Sequence, residues 1–404
     1  MVGLLGIGIL LGIAVLLSDN RKAINFRTVG GAFALQAGIA ALVLYVPVGK
    51  DILGGAAAGV QNVINYANAG VEFMFGDLAK FKLGFIFAIN VLPIIVFLSA
   101  LMAVLYYLGI MQKVVDVLGG LIKRALGTSQ TESLSATANI FVGQTEAPLI
   151  VRPYINHMTQ SELFAVMTGG LASIAGAVLA GYASMGVELK YLIAASFMAA
   201  PGGLLMAKII KPETEIPDER AEDIAFEEGE QPANVIDAAA GGALTGLKLA
   251  MNIGAMLVAF IALIALLNGL IGGTAGLFGF ENLTLEQILG FLLAPLAWVL
   301  GTPWADAVSI GSLIGQKLVL NEFVAYVEFV KLKDTLSEQA QVIAIFSLCG
   351  FANLSSIAIL LGGLGGMAPK RRPDIARMGL KAVAAGSLSN LMSAVLAGLF
   401  ISLV

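Results

Sequence analysis

Apolar runs close to the length of a membrane-spanning helix recur along this chain. A helix needs roughly 20 apolar residues to cross a bilayer. Runs that approach this length occupy residues 2–17, 28–46, 83–110, 162–185, 191–210, 245–270, 342–364 and 382–404. Because 58% of the residues are hydrophobic and only 12% are charged, an ordinary soluble domain is excluded. The sequence therefore predicts an all-α polytopic membrane protein with about eight transmembrane helices.

Three further apolar stretches, at residues 118–155, 285–299 and 302–330, contain Glu, Gln, Asn or Pro in mid-run. Irregular backbone is tolerated at membrane depth only where protein or a cavity surrounds it. We therefore predict two re-entrant helical hairpins, each preceded by an interfacial helix. Lys and Arg cluster after alternate spans, and these clusters share the cytoplasmic face if both hairpins re-enter. The first hairpin then enters from the cytoplasm and the second from outside.

Two segments of the chain resemble each other. The sequence Gly-Leu-Ala-Ser-Ile-Ala-Gly at residues 170–176 is similar to Gly-Phe-Ala-Asn-Leu-Ser-Ser at residues 350–356. Each follows a predicted hairpin and interrupts an apolar span, so the chain contains two units that start on opposite faces of the membrane. Inverted repeats with broken helices are typical of secondary transporters, whose binding site lies near the bilayer midplane.

This layout divides the chain into six segments. They are N-terminal transmembrane helices with an external amphipathic segment (1–82), a scaffold-type transmembrane helix (83–117), the first repeat (118–210), an acidic cytoplasmic linker (211–244), a second scaffold-type helix (245–284) and the second repeat (285–404). Each repeat is expected to comprise an interfacial helix, a re-entrant hairpin, a broken helix and a final transmembrane helix.

Glu146 and Glu322, one on each hairpin, are the strongest candidates for a functional site. A carboxylate within a membrane protein is costly unless it has partners, and it indicates function by default. The alternative is a structural ion pair with Arg152 or Lys317. Amides and hydroxyls accompany the two acids, at Asn139, Gln144, Thr145, Ser173, Asn353, Ser355 and Ser356. A site rich in acceptors and poor in cations is unsuited to anions, and it suits a neutral or cationic substrate with many donors.

A polyol fits such a site best. A vicinal diol can donate two hydrogen bonds to one carboxylate, and an amide such as Asn353 can serve the remaining lone pairs. Phe351 offers an apolar wall, unless it belongs to the core. Where hairpin and broken helix unwind, free carbonyls and polar side chains form an oxygen cage suited to sodium. The predicted cage consists of Asn139, Val142, Ser173 and Ile174.

The sequence argues against a metal centre, a nucleotide-driven pump, a membrane-embedded enzyme and a channel. Cys349 is the single cysteine and His157 the single histidine, so the sequence offers no His/Cys metal cluster. No phosphate-binding Gly-x-x-x-x-Gly-Lys-Ser/Thr motif occurs, which argues against a nucleotide-driven pump. A membrane-embedded enzyme would need a metal or nucleophile array, and a channel or facilitator would need a continuous polar path.

Three blocks resemble the signature motifs of the concentrative nucleoside transporter family, in its bacterial branch. They are Gly-Gln-Thr-Glu-Ala-Pro at 143–148, Asn-Glu-Phe-Val-Ala-Tyr at 321–326 and Gly-Phe-Ala-Asn-Leu-Ser-Ser at 350–356. The resemblance covers nearly the whole chain. It implies a homotrimeric, multi-pass symporter of the bacterial cytoplasmic (inner) membrane. Such a protein imports nucleosides such as uridine or adenosine by an elevator motion, with sodium as the co-transported ion, no organic cofactor and no nucleic-acid partner.

The same resemblance implies a role for each site residue. Gln144, Thr145 and Glu146 with Val178 would meet the nucleobase, Glu322, Asn353 and Ser356 would hold the ribose, and Phe351 would lie against the substrate. Asn139, Val142, Ser173 and Ile174 would bind sodium, with Val142 and Ile174 acting through their backbone carbonyls. A proton-coupled member of the family remains the main alternative, because a buried carboxylate can carry a proton.

Overall fold

The computed structural model describes residues 2–80, 84–217, 232–279 and 283–403, and the regular structure in these ranges is helical. The α-helices in chain order are α1 (Val2–Leu16), α2 (Phe26–Leu44), α3 (Pro47–Phe75), α4 (Phe87–Asn90), α5 (Leu92–Tyr107), α6 (Ile110–Leu126), α7 (Gln130–Ala138), α8 (Ala147–Ile150), α9 (Gln160–Ala172), α10 (Gly176–Ser184), α11 (Leu189–Ile210), α12 (Val235–Gly276), α13 (Leu285–Val299), α14 (Trp304–Val319), α15 (Glu322–Leu332), α16 (Glu338–Leu348), α17 (Ser356–Gly362), α18 (Leu364–Met367) and α19 (Arg372–Ile401). The predicted all-α membrane fold is confirmed.

Six helical stretches in the described residues are long and apolar enough to span a bilayer. They comprise α2, α4 with α5, α9 with α10, α11, α12 and the α19 region, while α13 and α14 form a pair bent by 116°. Two of the eight predicted spans yield shorter helices. The first, α1, is 15 residues long. The predicted span 342–364 is divided between α16 and α17, because the chain leaves the helix after Leu348 and resumes it only at Ser356.

The long helix α12 begins inside the predicted linker. Its N-cap residue Asn234 accepts hydrogen bonds from the backbone N–H groups of Ile236 and Asp237 at 2.9 and 3.0 Å, which starts the helix at Val235. Residues 235–244, assigned from the sequence to the linker, are therefore helical. Residues 218–231 of that linker lie outside the described ranges.

Two hairpins follow the helices that were predicted to be interfacial. In hairpin 1, α7 leads to a tip at residues 139–146 and the chain returns through α8 and a 3-10 turn, Arg152–Tyr154. In hairpin 2, α14 leads to a tip at Leu320 and Asn321 and the chain returns through α15. The strongly amphipathic α6 precedes hairpin 1, and α13 precedes hairpin 2.

Each helix break hydrogen-bonds to the hairpin of its own repeat. In the first repeat, between α9 and α10, the Gly176 N–H donates to the Phe141 carbonyl at 3.0 Å. In the second repeat, between α16 and α17, the Leu354 N–H donates to the Leu318 carbonyl at 3.2 Å. The breaks also meet each other, since the Phe351 N–H donates to the Ser173 carbonyl at 3.1 Å. Hairpins and breaks therefore converge on one region.

Helix α12 packs closely along α5 through small residues. A Cβ atom added at Gly242 would lie 2.6 Å from the Ala103 Cβ and 2.7 Å from the Ser99 carbonyl oxygen. A Cβ added at Gly246 would lie 2.7 Å from the Ser99 Cβ. Small residues let helix backbones approach in membrane proteins. The α5–α12 pair thus forms a wall beside the hairpins.

We expect Gly242→Ala to destabilise this helix pair by about 1–3 kcal/mol, because the added methyl overpacks the contact with α5. The neighbouring Gly241→Ala is a matched control, since a Cβ there meets no atom within 4 Å. Thermal unfolding of the purified proteins in detergent measures both changes. Equal melting temperatures for the two variants would contradict the close α5–α12 contact.

Candidate substrate and cation sites

A cavity of about 410 Å³ lies between the two hairpin tips, the two helix breaks and α12. This volume falls within the range typical of small-molecule sites. All the residues predicted to bind substrate line it: Gln144, Thr145, Glu146, Val178, Glu322, Phe351, Asn353 and Ser356. The fold therefore assembles one pocket from residues that are up to about half the chain apart.

Glu322 occupies the first position of α15, at the tip of hairpin 2, and is buried. Its Oε1 accepts a hydrogen bond from the Tyr182 hydroxyl and its Oε2 accepts one from the Asn353 amide, both at 3.2 Å. The positive end of the α15 dipole also favours a carboxylate at this position. Because each carboxylate oxygen has two lone pairs, both oxygens can still accept a donor from a ligand.

Asn353 is oriented by its own helix break. Its Oδ1 accepts hydrogen bonds from the Ser355 hydroxyl at 2.7 Å and from the Ser356 N–H at 2.9 Å. The amide nitrogen is thereby turned toward Glu322. The Ser356 hydroxyl donates to the Phe351 carbonyl at 2.5 Å, which folds the break onto itself. The second break and hairpin 2 thus form one polar wall with fixed donors and acceptors.

Residues of the hairpin 1 tip, Gln144, Thr145 and Glu146, line the same cavity. Within the described residues, Gln144 Oε1 and Glu146 Oε2 have no hydrogen-bond partner. Buried polar atoms are nearly always satisfied in native proteins, so unpartnered acceptors on residues that line a cavity indicate a ligand or solvent. Val178 on α10 is buried and adds an apolar surface beside them.

The predicted cation residues meet where hairpin 1 contacts the first break. Asn139 ends α7 and is buried; its amide nitrogen donates to the Ser135 carbonyl at 2.9 Å, whereas its Oδ1 has no partner among the described residues. Ser173 ends α9 and is also buried. In the part of the chain that the structure describes, no hydrogen bond reaches the carbonyls of Val142 and Ile174. These neutral oxygens fit a monovalent hard cation.

The structure does not support the ion-pair alternative for the two glutamates. Lys317 is buried in α14, and its ammonium donates to the Ser347 carbonyl and to Asn390 Oδ1, each at 2.7 Å. Arg152 is exposed in its 3-10 turn. Neither cation forms a salt bridge within the described ranges. The hairpin carboxylates are therefore not neutralised by the cations that lie near them in sequence.

Several cavity residues were missed by sequence reasoning. The face of α12 contributes Leu249, Asn252, Ile253, Met256 and Leu257. Asn252 carried a signal, because it is an amide in the predicted apolar span 245–270. Tyr182, which does not line the cavity but holds Glu322, could not be found from spacing, because this contact joins the first repeat to the second.

A second cavity, of about 420 Å³, lies on the other side of the hairpin 1 tip. It is bounded by α5, the first half of α12 and the tip, and it shares Gly143, Glu146, Ala175 and Leu249 with the first cavity. Tyr106 of α5 lines it, and its hydroxyl has no partner among the described residues. The tip of hairpin 1 thus separates two spaces along α12.

We expect Tyr182→Phe to lower stability more than Tyr326→Phe. Both rings are fully buried, but the Tyr182 hydroxyl donates to a carboxylate and the Tyr326 hydroxyl donates to the Ile345 carbonyl at 2.8 Å. A hydrogen bond to a charged group contributes about 1.5–3 kcal/mol, against about 0.5–1.5 kcal/mol for a neutral pair. Thermal unfolding of the substrate-free variants is the measurement, and equal losses would indicate that Glu322 is uncharged.

Comparison with protein-family models covers most of the chain. The model described as Na+ dependent nucleoside transporter N-terminus matches residues 5–78, and the corresponding C-terminus model matches residues 191–398. Between them, a model described as nucleoside recognition (Gate) matches residues 88–188. The matches therefore include both hairpins and both helix breaks.

Individual relatives agree with the family models. An uncharacterized transporter of Haemophilus influenzae is 61% identical over 99% of this chain and 97% of its own length. The nucleoside permease NupC of Helicobacter pylori is 52% identical over 98% of this chain and 97% of its own. These relatives are named as transporters and permeases, not as enzymes.

A solved structure, CNTnw in an inward-facing substrate-bound state, superimposes with a TM-score of 0.96 at 62% identity, over 99% of this chain and 97% of that one. A variant of CNTnw in an outward-facing state gives a TM-score of 0.98 at 61% identity, over 100% and 99% of the two chains. The family resemblance of the three sequence blocks is confirmed: the chain belongs to the family of Na+-dependent nucleoside transporters, which are multi-pass membrane proteins that co-transport sodium.

Proposed function

We propose that this protein imports nucleosides into a bacterial cell by symport with sodium across the inner membrane, as a homotrimer with an elevator-type motion. The observation that carries the proposal is one cavity lined by a carboxylate with free acceptor capacity, by two residues that each carry an unpartnered acceptor and by an apolar wall. The neutral oxygen cage lies at the edge of the same hairpin tip.

The ribose end is assigned to hairpin 2 and the second break. The two ribose hydroxyls donate to Glu322, whose oxygens accept from Tyr182 and Asn353 and keep acceptor capacity for further donors. Asn353 and Ser356 complete this wall, and the half-buried Phe351 packs against the sugar. A substrate that lacks one of these hydroxyls leaves a buried acceptor unpaired, so discrimination against it is strong.

The base end is assigned to the tip of hairpin 1. Gln144 Oε1 and Glu146 Oε2 are acceptors without protein partners, and they suit the N–H groups of a nucleobase such as that of uridine or adenosine. Thr145 lies between them, and Val178 covers the face of the base. Both ends of the substrate are then held by the two hairpins and their breaks.

Sodium is assigned to the cage of Asn139, Val142, Ser173 and Ile174. A bound cation joins the hairpin 1 tip to the first break and orders Gln144, Thr145 and Glu146, which follow the cage directly in the chain. Each ligand then tightens the other by the same factor, as linkage requires. The cage is built from uncharged oxygens, which favours sodium over a proton.

The two cavities along α12 support the elevator motion. The hairpin 1 tip lies between the two cavities. A shift of the hairpins along α5 and α12 therefore enlarges one cavity and closes the other, which changes the side from which the substrate can enter. CNTnw has been solved in inward-facing, outward-facing and intermediate states. The exposed apolar face of α12, which includes Met251, Val258 and Leu266, suits lipid or the neighbouring subunits of a trimer. A facilitator would need a continuous path, whereas the tip separates the cavities.

We expect Glu322→Gln to abolish most uptake of labelled uridine into proteoliposomes that carry an inward sodium gradient. Each charged hydrogen bond from the ribose contributes about 1.5–3 kcal/mol; glutamine replaces one acceptor oxygen by an NH2 group and leaves the other uncharged, so transport falls by about tenfold to a hundredfold or more. Glu328→Gln is the matched control, because Glu328 lies on the same helix but pairs with Lys331 at the surface. Full activity of the Glu322 variant would remove the ribose assignment.

The coupling ion is tested in the same system. Uptake of uridine and adenosine is compared under a sodium gradient at equal pH and under a proton gradient without sodium. We expect uptake only with sodium, and we expect Asn139→Ala to raise the sodium concentration needed for half-maximal uptake by about tenfold, since it removes one cage oxygen. Sodium-free uptake driven by the proton gradient would favour the proton-coupled alternative.

A further inference from the structure

One buried amide side chain links the ends of both broken helices. Asn390 lies in the middle of α19, and its amide nitrogen donates to the Ala172 carbonyl at 2.6 Å and to the Cys349 carbonyl at 2.8 Å. Ala172 is the last residue of α9, and Cys349 is the C-cap residue of α16. Carbonyls at helix ends lack intrahelical partners. Here a single side chain satisfies one such carbonyl in each repeat.

The orientation of that amide is fixed by Lys317. The Lys317 ammonium donates to Asn390 Oδ1 and to the Ser347 carbonyl, so the amide nitrogen must face the two helix ends. The ammonium is buried, yet its hydrogen-bond partners in the described residues are uncharged. It lies at the C-terminal end of α16, where the helix dipole favours a positive charge. A buried lysine in a membrane protein is costly and indicates a role.

Asn390, held by Lys317, contacts the chain just before both breaks, one next to the proposed sodium cage and the other next to the substrate cavity. The residues that follow Ala172 are Ser173 and Ile174, which belong to the proposed sodium cage. After Cys349 and Gly350 the chain continues to Phe351 and Asn353, which line the substrate cavity. The Asn390 amide packs so closely on Gly350 that a Cβ atom there would collide with it. Because the Phe351 N–H also donates to the Ser173 carbonyl, a displacement of either break moves the other.

We propose that Asn390, held in place by Lys317, is the positioning residue that couples the sodium half of the site to the nucleoside half. The inference rests on the proposed sodium symport and adds to it a physical route. Sodium orders Ser173 and Ile174; the shared amide and the contact between the breaks carry this order to Phe351 and Asn353, where the ribose binds. A packed, hydrogen-bonded chain of this kind can carry coupling between two ligands.

Equilibrium binding tests the proposal. The dissociation constant of uridine is measured by calorimetry on the purified protein, in sodium and in choline buffer, and the coupling factor is the ratio of the choline value to the sodium value. We expect a factor of about 5–150 for the wild type. Asn390→Asp keeps the acceptor for Lys317 but loses both donors to the breaks, and we expect its factor to fall to about 1, a loss of the sodium effect.

Ser387→Ala provides the control on the same helix. The Ser387 hydroxyl is buried but donates only to the Val383 carbonyl of α19 itself, at 2.8 Å, so its removal leaves the coupling factor unchanged. Lys317→Met, which removes the donor that orients Asn390, is measured in the same way and is expected to lower the factor as well. This second variant keeps the proposal testable if Asn390→Asp is not recovered as folded protein.

The outcomes separate the proposal from the function on which it rests. A purely structural role would weaken uridine binding equally in both buffers and leave the factor at the wild-type value, which would overturn the proposal while sodium symport stood. A wild-type factor of 1 would overturn both. A reduced factor in Asn390→Asp, with Ser387→Ala like the wild type, supports the coupling role.

Discussion

The hydrogen bond from the Phe351 N–H to the Ser173 carbonyl is the contact on which the site depends. A helix that stops inside a bilayer leaves backbone donors and acceptors without partners, and lipid cannot supply them. Here the two breaks lie against each other. Each break also donates a backbone hydrogen bond to the hairpin of its own repeat, to the Phe141 carbonyl in the first and the Leu318 carbonyl in the second. The cost of unwinding two helices is thereby offset by pairing them, and the polar backbone that results is enclosed by protein.

The distribution of charge follows from the same arrangement. Glu322 is stabilised by the hydroxyl of Tyr182 and the amide of Asn353, and no lysine or arginine pairs with it in the described residues. Lys317 is stabilised by neutral acceptors instead. A carboxylate that is not neutralised by a direct ion pair keeps its affinity for donors, and this is the property that a polyol site requires.

Much of the architecture was open to prediction because apolar length and polar interruption are local properties of the chain. The long spans were marked by apolar runs of sufficient length, and the hairpins and breaks by Pro, Gly or a polar residue inside an apolar run. Boundaries were less predictable. The start of α12 at Val235 depends on the Asn234 cap, and the division of the span at 342–364 depends on contacts made by residues 349–355. The residues of the α12 face were missed because an apolar helix does not reveal which side faces a cavity.

The sequence by itself determined the class of protein, the positions of the two acidic hairpins and the polar residues that the hairpins and breaks carry, because each depends on residue type and order along the chain. Only the tertiary structure decided which of these groups meet. Tyr182 reaches Glu322, and Asn390 reaches Ala172 and Cys349, across separations of 140, 218 and 41 residues. The first two contacts arise from the packing of one repeat against the other and the third from packing within the second repeat, and no local pattern encodes them.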